Sequence, residues 1–262
     1  MDWIGYIASV LIGIVLGLLG GGGSILSIPI LVYIFGLDVV TASAYSLFIV
    51  GVTSLAGAIP KYREQLIRLD TGLLFGIPSV ISIFSTRKWI VPAIPDLFFV
   101  ADVPITKRLL LLGIFAVLMI LASVSMIRKR SIVPEMVEHP RTALVIVEGI
   151  LIGFLTGLVG AGGGFLIIPA LVLLTGLPFK TAVGTSLLII AINSLLGFAG
   201  DVMNYAIEWP FLLIITALAT SGILIGNYLN GKVSQLKLRK AFGWFVLASG
   251  IYILTRELLT HY

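Results

Sequence analysis

The chain has 262 residues, of which 59% are hydrophobic and only 11% are charged, and its mean hydropathy is +1.16. Soluble domains carry about a quarter charged residues, so this composition indicates an integral membrane protein and leaves no room for a sizeable soluble domain. No cysteine and only two histidines, His139 and His261, are present, so we expect no metal, no cofactor and no enzyme activity. The net charge of +5 is expected to reflect basic residues in cytoplasmic loops and not a nucleic-acid partner.

Apolar segments follow one another along the chain and set its predicted elements. They lie at 3–20, 24–36, 43–59, 70–85 and 109–127, and then at 143–160, 165–176, 183–200, 209–226 and 241–258. A full span needs about 20 residues, so 24–36 and 165–176 are too short to cross a membrane alone. Each is expected to form a helical hairpin with the segment before it, and three longer transmembrane helices follow each hairpin.

The second half of the chain repeats the first. Residues 13–57 align with residues 153–197 at a constant offset of 140, without a gap and with 21 of 45 positions identical. Duplication in an apolar chain of this size is typical of transporters. We predict a single membrane domain made of two repeats, residues 1–134 and 135–262, joined by a short, charged linker that contains prolines.

The distribution of basic residues predicts opposite orientations for the two repeats. If each hairpin counts as two crossings or as a re-entrant loop, 12 of the 17 basic residues fall on the face opposite the N-terminus, as the positive-inside rule requires. The predicted fold class is thus an all-α integral membrane protein with two inverted repeats, multi-pass in the cell membrane, with both termini outside. Arg87, Lys88, Lys107 and Arg108 are exceptions, because they fall on the predicted outer face.

Those four residues bracket the loop at 88–106, which has no counterpart in the second half. The loop combines prolines, aromatic residues and two aspartates, a mixture that suits a segment at the membrane interface. We interpret it as a belt that anchors the first half. The alternative is a mobile lid over an outward entrance.

Two glycine clusters, at residues 20–23 and 160–164, occupy the tips of the predicted hairpins. A run of glycines costs about 1 kcal/mol of helix propensity per residue and leaves backbone groups that must find partners in an apolar medium. A helix beginning after each cluster, at Ser24 or Phe165, would direct free amide groups and a partial positive charge toward the glycines. The two tips are therefore predicted to converge near the bilayer midplane on one anion, and close helix packing alone is the alternative.

Polar side chains in the helix after each hairpin extend the predicted site. Ser46 and Ser186 are equivalent, and seven residues later Thr53 and Asn193 lie on the same helical faces, followed by Ser54 and Ser194. Such stripes either bond neighbouring helices or line a pathway, and the Asn193 amide is the better candidate to bind an oxyanion. The predicted substrate-binding residues are Gly20, Gly21, Gly22, Gly23, Ser24, Ser46, Gly160, Gly162, Gly163, Gly164, Thr185, Ser186 and Asn193, with Pro29 and Pro169 as structural kinks.

Charged residues are absent from the interior of every predicted span. Glu148 is the only membrane-proximal acid suited to a proton relay, and an ordinary interfacial glutamate is the alternative interpretation. The sequence therefore predicts neither a cation site nor machinery for proton coupling.

The glycine motifs resemble those of the TauE/SafE family of sulfite exporters and anion permeases. The resemblance rests on GLLGGGGSILSIP and GLVGAGGGFLIIP, each followed by a short loop, a Thr-Ala dipeptide and a serine-containing helix, and it covers nearly the whole chain. It implies secondary transport of small sulfur-containing or organic anions, such as sulfite or sulfonates. With the broken helices, we predict a permease that works by alternating access; a passive anion channel and a nontransporting membrane scaffold are the alternatives.

Overall fold

The computed structural model describes residues 2–21, 23–100, 103–127, 142–230 and 235–259. Gly22 and the predicted repeat boundary at 134–135 lie outside these residues. The first half contains α1 (Asp2–Leu19), α2 (Ser24–Pro29) with a π-helical turn (Ile30–Ile34), α3 (Val39–Arg63), α4 (Leu69–Ser85) with a π-helical turn (Thr86–Ile90), α5 (Val91–Ala93) and α6 (Lys107–Ile127). The second half contains α7 (Thr142–Val159), α8 (Gly164–Thr175), α9 (Phe179–Val202), α10 (Trp209–Asn230) and α11 (Gln235–Leu259).

The described helices have the length and composition of a membrane protein. Seven segments are long and apolar enough to cross a membrane, namely Val39–Arg63, Leu69–Ala93, Lys107–Val124, Thr142–Val159, Phe179–Val202, Trp209–Asn230 and Lys240–Leu259. Large apolar side chains such as Ile77, Leu121 and Leu224 are more than half exposed, which suits a surface that faces lipid. The predicted all-α membrane fold is confirmed.

Both predicted hairpins are present as pairs of helices around a glycine turn. The first joins α1 to the short α2, and the second joins α7 to α8. Pro29 is the last residue of α2 and immediately precedes the π-helical turn, whereas α8 continues as an α-helix past Pro169. The missing amide of proline disturbs the hydrogen-bond ladder, and only in the first hairpin does the helix geometry change at that point.

The two halves pack against each other through two equivalent helix pairs, each made of one helix from either half. α1 lies along α10, and α7, which is equivalent to α1, lies along α4. Glycine allows both crossings to be close: an added Cβ at Gly13 would collide with the backbone of Ala219, and one at the equivalent Gly153 would collide with that of Ser79. The contacts between the halves thus occur twice, at the same offset of 140 residues.

α3 and α9 are equivalent helices at the centre of the molecule, and they run antiparallel. Leu47 near the start of α3 packs on Gly197 near the end of α9, while Gly57 packs on Leu187. Leu187 is the equivalent of Leu47, and Gly197 is the equivalent of Gly57, so each contact is the counterpart of the other. The buried apolar core surrounds this pair with side chains from both hairpins, such as Ile25 and, in the second hairpin, Ile167.

The segment predicted to be an interfacial loop begins as helix. The chain continues from α4 through the π-helical turn and α5, and only then forms an antiparallel hairpin of β1 (Leu97–Val100) and β2 (Val103–Thr106). Trp89 and Phe99 are exposed, as aromatic residues at a membrane interface are. Whether the hairpin acts as a belt or as a lid stays a prediction.

An ionic cluster around the buried Glu257 carboxylate ties the end of α11 to the start of α6. Arg108 donates from Nε and from Nη2 to the two carboxylate oxygens of Glu257, each at 2.9 Å, and the Tyr33 hydroxyl donates to the same carboxylate at 3.0 Å. Glu257 is nearly fully buried, so these three bonds offset the loss of its hydration. Because Tyr33 belongs to the first hairpin, the cluster also fixes that hairpin against the α6–α11 pair.

Candidate functional site

The two glycine tips adjoin one another inside the protein. An added Cβ at Gly21 would lie 2.5 Å from the carbonyl carbon of Gly164, and one at Gly164 would contact Gly21 in return. Only glycine allows two backbones to approach this closely. The role of these tips in binding an anion stays a prediction.

Left-handed backbone conformations shape the second tip. Gly160, Gly162 and Gly163 have φ angles of +83°, +68° and +70°, a region that strains residues with a Cβ. In the first tip, Gly20 has a φ of +75°. α2 begins at Ser24 as predicted, and α8 begins one residue before the predicted Phe165.

A buried arginine lies against the second tip. The Arg87 side chain is fully buried, and its Nη2 occupies the space that a Cβ at Gly160 would need. Its Nη1 donates to Ser43 Oγ at 2.9 Å and lies 3.3 Å from Oδ2 of Asp201, which is also fully buried. Nε and Nη2 of Arg87 have no hydrogen-bond partner among the described residues.

The unpartnered nitrogens of Arg87 form one edge of its guanidinium group. Arg108 uses the same two atoms, Nε and Nη2, to bind both oxygens of the Glu257 carboxylate. This planar edge matches two oxygens of a carboxylate, sulfonate or sulfite group. Arg87 therefore carries a complete oxyanion-binding edge that the described protein groups leave unused.

The sequence predicted no charged residue in the interior of a span, and the structure buries Arg87 and Asp201 near the ends of two helical segments. The sequence-based boundaries end these spans at residues 85 and 200, whereas the helical structure continues through Ile90 and Val202. Moving charged groups from water into a protein interior costs several kcal/mol per ion, so charged residues inside a membrane protein are candidates for a functional role. The available signal in the sequence was the conflict between Arg87 and the positive-inside distribution.

Two unpartnered hydroxyl groups face the same tip. Ser194 Oγ would lie 3.0 Å from a Cβ added at Gly162, and Thr156 Oγ1 occupies the corresponding space at Gly163. Both oxygens are buried without a partner in the described part of the chain. An unsatisfied buried hydroxyl costs about 1–3 kcal/mol. Together with Arg87, these groups surround the second tip with hydrogen-bond donors, a set that suits an anion.

Among the described residues, the first tip lacks the charged donor that lies at the second. A Cβ added at Gly20 would meet Val183, which is the equivalent of Ser43, and Gly23 packs on the backbone of Leu16. The residue equivalent to Arg87 is Asn227, which carries no charge. Although the two tips meet, the buried arginine lies at the second, and the sequence did not predict this asymmetry.

Three serines of the predicted site are engaged in local hydrogen bonds. Ser24 Oγ donates to the carbonyl oxygen of Gly21 at 2.8 Å, and Ser186 Oγ donates to a carbonyl of its own helix at 2.8 Å. The hydroxyls of Ser46 and Ser27 lie 2.5 Å apart and join α3 to the first hairpin. These bonds stabilise the hairpin and helix backbones.

Thr185, another predicted site residue, has the same structural role as Tyr45, its equivalent in the first half. Thr185 Oγ1 accepts a hydrogen bond from the backbone amide of Arg68 at 3.0 Å, and the Tyr45 hydroxyl accepts one from the amide of Glu208 at 2.7 Å. Arg68 and Glu208 directly precede α4 and α10 and are themselves equivalent. Each side chain therefore satisfies an amide at the start of a helix in the other half.

Asn193 joins α9 to α4 through a hydrogen bond. Its Nδ2 donates to Ser79 Oγ at 2.6 Å, while its Oδ1 has no partner among the residues described. Asn193 also lines a cavity of about 210 Å³ between α4 and α9, whose other walls are apolar, for example Ile77 and Leu188. Such a lining does not favour an anion.

The polar groups around the second tip do not form a metal site. In the described part of the chain, no three histidine or acidic side chains come together in a way that could hold a metal ion. A guanidinium group has no lone pair to offer a cation. A guanidinium edge and hydroxyl donors are instead groups that bind the oxygen atoms of anions.

Comparisons with known proteins identify the family. The model of the TauE/SafE sulfite exporter family matches residues 6–253. The chain is 31% identical over 261 residues to a probable membrane transporter protein of Xylella fastidiosa (strain Temecula1), covering 94% of this chain and 92% of that protein. It is 29% identical over 228 residues to the probable membrane transporter protein YdhB of Bacillus subtilis, covering 86% and 87% of the two chains. No solved structure matches the chain significantly. This protein is therefore a member of the TauE/SafE family of membrane transporters.

Proposed function

We propose that the protein is a secondary transporter of small anions, held at the second glycine tip by Arg87. The observation that carries the proposal is the fully buried guanidinium group whose Nε and Nη2 have no partner among the described residues. The desolvation of such a group is costly, and an ionisable residue inside a membrane protein is by default a candidate for the functional site. Its natural ligand is an anion with two coplanar oxygens.

Sulfur oxyanions fit this edge and the hydroxyls beside it. A sulfite or sulfonate presents two oxygens to Arg87 and keeps a third for a hydroxyl donor such as Ser194 or Thr156. The family's description as sulfite exporters agrees with this chemistry. We therefore propose sulfite or small sulfonates as the substrate class.

Alternating access between two inverted repeats is the proposed mechanism. It is supported by the antiparallel packing of the equivalent helices α3 and α9, and by the exchange of the α1–α10 contact for the α7–α4 contact. Repeats of opposite orientation can exchange conformations, so that a site between them opens first to one side and then to the other. Arg87 belongs to the first half and contacts Gly160 and Asp201 of the second, so it lies between the two halves.

The proposal is tested by the thermal stability of the purified protein with a panel of anions. The panel contains sulfite, sulfonates, thiosulfate, sulfate, small carboxylates and, as uncharged controls, neutral amino acids. A ligand present at 100 times its dissociation constant stabilises a protein by about 2.7 kcal/mol. We expect stabilisation by sulfur oxyanions, with no effect of the neutral compounds.

Two variants show whether Arg87 is responsible. Arg87→Gln alone would leave the buried Asp201 unpaired, at a cost of about 3–5 kcal/mol, so the test variant is the double substitution Arg87→Gln with Asp201→Asn. The matched control is Arg108→Gln with Glu257→Gln, which removes an arginine whose equivalent edge is already occupied and also leaves no buried carboxylate without its partner. Loss of the anion effect in the double variant but not in the control supports the proposal. An anion effect that persists in the double variant contradicts it.

A further inference from the structure

We propose that Asp201 is the internal counter-anion of Arg87 and takes up a proton when the transported anion binds to the free edge of Arg87, so that anion and proton move together. This inference rests on the proposed function of the second tip. It differs from the sequence-based expectation, which found no carboxylate suited to proton coupling except Glu148.

The Arg87–Asp201 pair is under-bonded for a buried ion pair. Nη1 and Oδ2 are 3.3 Å apart, and neither carboxylate oxygen of Asp201 has a hydrogen-bond partner in the described residues. Glu257, a buried carboxylate that is also bound to an arginine, accepts two bonds from Arg108 and one from Tyr33. Asp201 therefore depends on the charge of Arg87 alone to stay ionised.

A substrate anion removes that support. When it occupies the Nε–Nη2 edge, its charge offsets that of the guanidinium group, and two anions then share one buried cation. The substrate anion and the Asp201 carboxylate repel each other when both are bound to one guanidinium group, so keeping both ionised is costly. A proton from solution adds to the Asp201 carboxylate as the anion binds, and it leaves when the anion leaves. The anion itself undergoes no covalent change.

Of the titratable groups around Arg87, Asp201 is the one that we expect to take up the proton. Tyr205 lies close by, and burial followed by the Asp201 charge raises the pKa of its hydroxyl, so it stays neutral. Asp38 is exposed and accepts the Val40 amide at 2.9 Å, Asp96 is exposed, and Lys88 lies over the Trp89 ring. Among these acids, Asp201 is the one that combines complete burial with contact to Arg87.

The chain carries this pair once and not twice. The residues equivalent to Arg87 and Asp201 in the other half are Asn227 and Lys61. Asn227 Nδ2 and Oδ1 are buried without partners among the described residues, while Lys61 forms an ion pair with Glu64 at 3.0 Å. One site for a proton thus accompanies one site for an anion.

The test measures proton uptake when methanesulfonate binds to the purified wild-type protein in weakly buffered solution with a pH indicator. Methanesulfonate keeps its charge across the pH range used, so any proton taken up binds to the protein. Binding is followed in the same samples by thermal stabilisation. Uptake of one proton per anion also predicts that the affinity rises about tenfold for each unit by which the pH falls.

Asp201→Asn is expected to bind methanesulfonate more tightly than the wild type, without proton uptake and without pH dependence. Glu148→Gln is the matched control and is expected to take up protons as the wild type does. If Asp201→Asn does not fold, Asp201→Glu decides the matter: it retains proton uptake with a shifted pH midpoint, and an unchanged midpoint would overturn the assignment to Asp201.

The outcomes separate the two proposals. Proton uptake by the wild type that is lost only in Asp201→Asn supports both. Binding of methanesulfonate without proton uptake, or uptake that is lost in Glu148→Gln, overturns the role of Asp201 and leaves the anion site standing. Absence of any methanesulfonate binding overturns both, because they share the free edge of Arg87.

Discussion

Gly160 combines two constraints that only glycine meets. Its φ angle is +83°, and a Cβ at this position would collide with Arg87 Nη2 and Ser43. Gly160→Ala is expected to lose about 2–5 kcal/mol of stability, from left-handed strain and from overpacking, and to abolish stabilisation by anions. Thermal unfolding with and without a sulfonate measures both effects.

Gly36 supplies the matched control for that variant. Its φ angle is +71°, but a Cβ there would have no neighbour within 4 Å. Gly36→Ala is therefore expected to lose only about 1–2 kcal/mol, from backbone strain, and to keep the anion effect. Equal behaviour of the two variants would show that contact with Arg87 has no part in the site.

Thr185 is expected to matter for stability and not for anion binding. Thr185→Val removes the acceptor of the Arg68 amide, and the loss of one such bond costs about 1 kcal/mol. Ser194→Ala, in contrast, removes a hydroxyl that faces the second tip and is expected to weaken anion binding. Ligand titration of both variants separates these roles, and weaker binding by Thr185→Val alone would reverse them.

The glycines of the tips were predictable because a run of consecutive glycines weakens an apolar helix so strongly that it indicates a break in that helix. Arg87 was not, because its burial depends on the packing of α3, α9 and the second tip around it, which no local pattern records. Ser194 and Asn193 both belong to the polar stripe of α9, and the sequence did not show which of the two faces the second tip. In the structure, the Asn193 amide donates to Ser79 instead.

At the scale of elements, the packing of α3 against α9 makes a sharp prediction. The centroids of the Phe48 and Phe198 rings are 4.9 Å apart, so a cysteine at each position is expected to be joined by a short thiol-reactive crosslinker. The absence of native cysteines makes the assay direct. Phe48→Cys with Leu188→Cys, which pairs equivalent positions, is the control and is expected not to react. Crosslinking of the control pair alone would indicate a parallel arrangement.

The helices themselves followed from hydropathy, and their ends did not. The predicted span at 70–85 stopped before the polar residues Thr86, Arg87 and Lys88, yet the helical structure continues through them. Hydropathy measures the preference of a segment for lipid, whereas Thr86 and Arg87 are enclosed by protein. The short hairpin helices were recognised because the apolar segments at 24–36 and 165–176 contain too few residues to span a membrane alone.

At the scale of the whole molecule, the orientation of the repeats can be tested by labelling. Because α3 and α9 run antiparallel, their C-terminal ends should lie on opposite sides of the membrane. Glu64→Cys is expected to react only with permeant reagents and Met203→Cys also with impermeant ones added outside, since both positions are exposed. Asp201 is unsuitable for labelling because it is buried. Equal reactivity of both cysteines would contradict the inverted orientation.

The overall architecture was predictable from the duplication, because equivalent sequences form equivalent helices. The asymmetry of the site was not, because it arises where the repeats have diverged: Arg87 against Asn227, Ser43 against Val183 and Asp201 against Lys61. Alignment of the halves reveals these differences, but only the packing shows that they meet at one tip.

The most direct test of the central claim is counterflow in proteoliposomes loaded with an unlabelled sulfonate and diluted into the labelled compound. We expect transient, saturable accumulation of label with the wild-type protein, and none with the Arg87→Gln, Asp201→Asn double variant. Flux that rises linearly with concentration, without counterflow, would instead indicate a channel. Absence of flux with the wild type, or unchanged counterflow in the double variant, would contradict transport of an anion bound by Arg87.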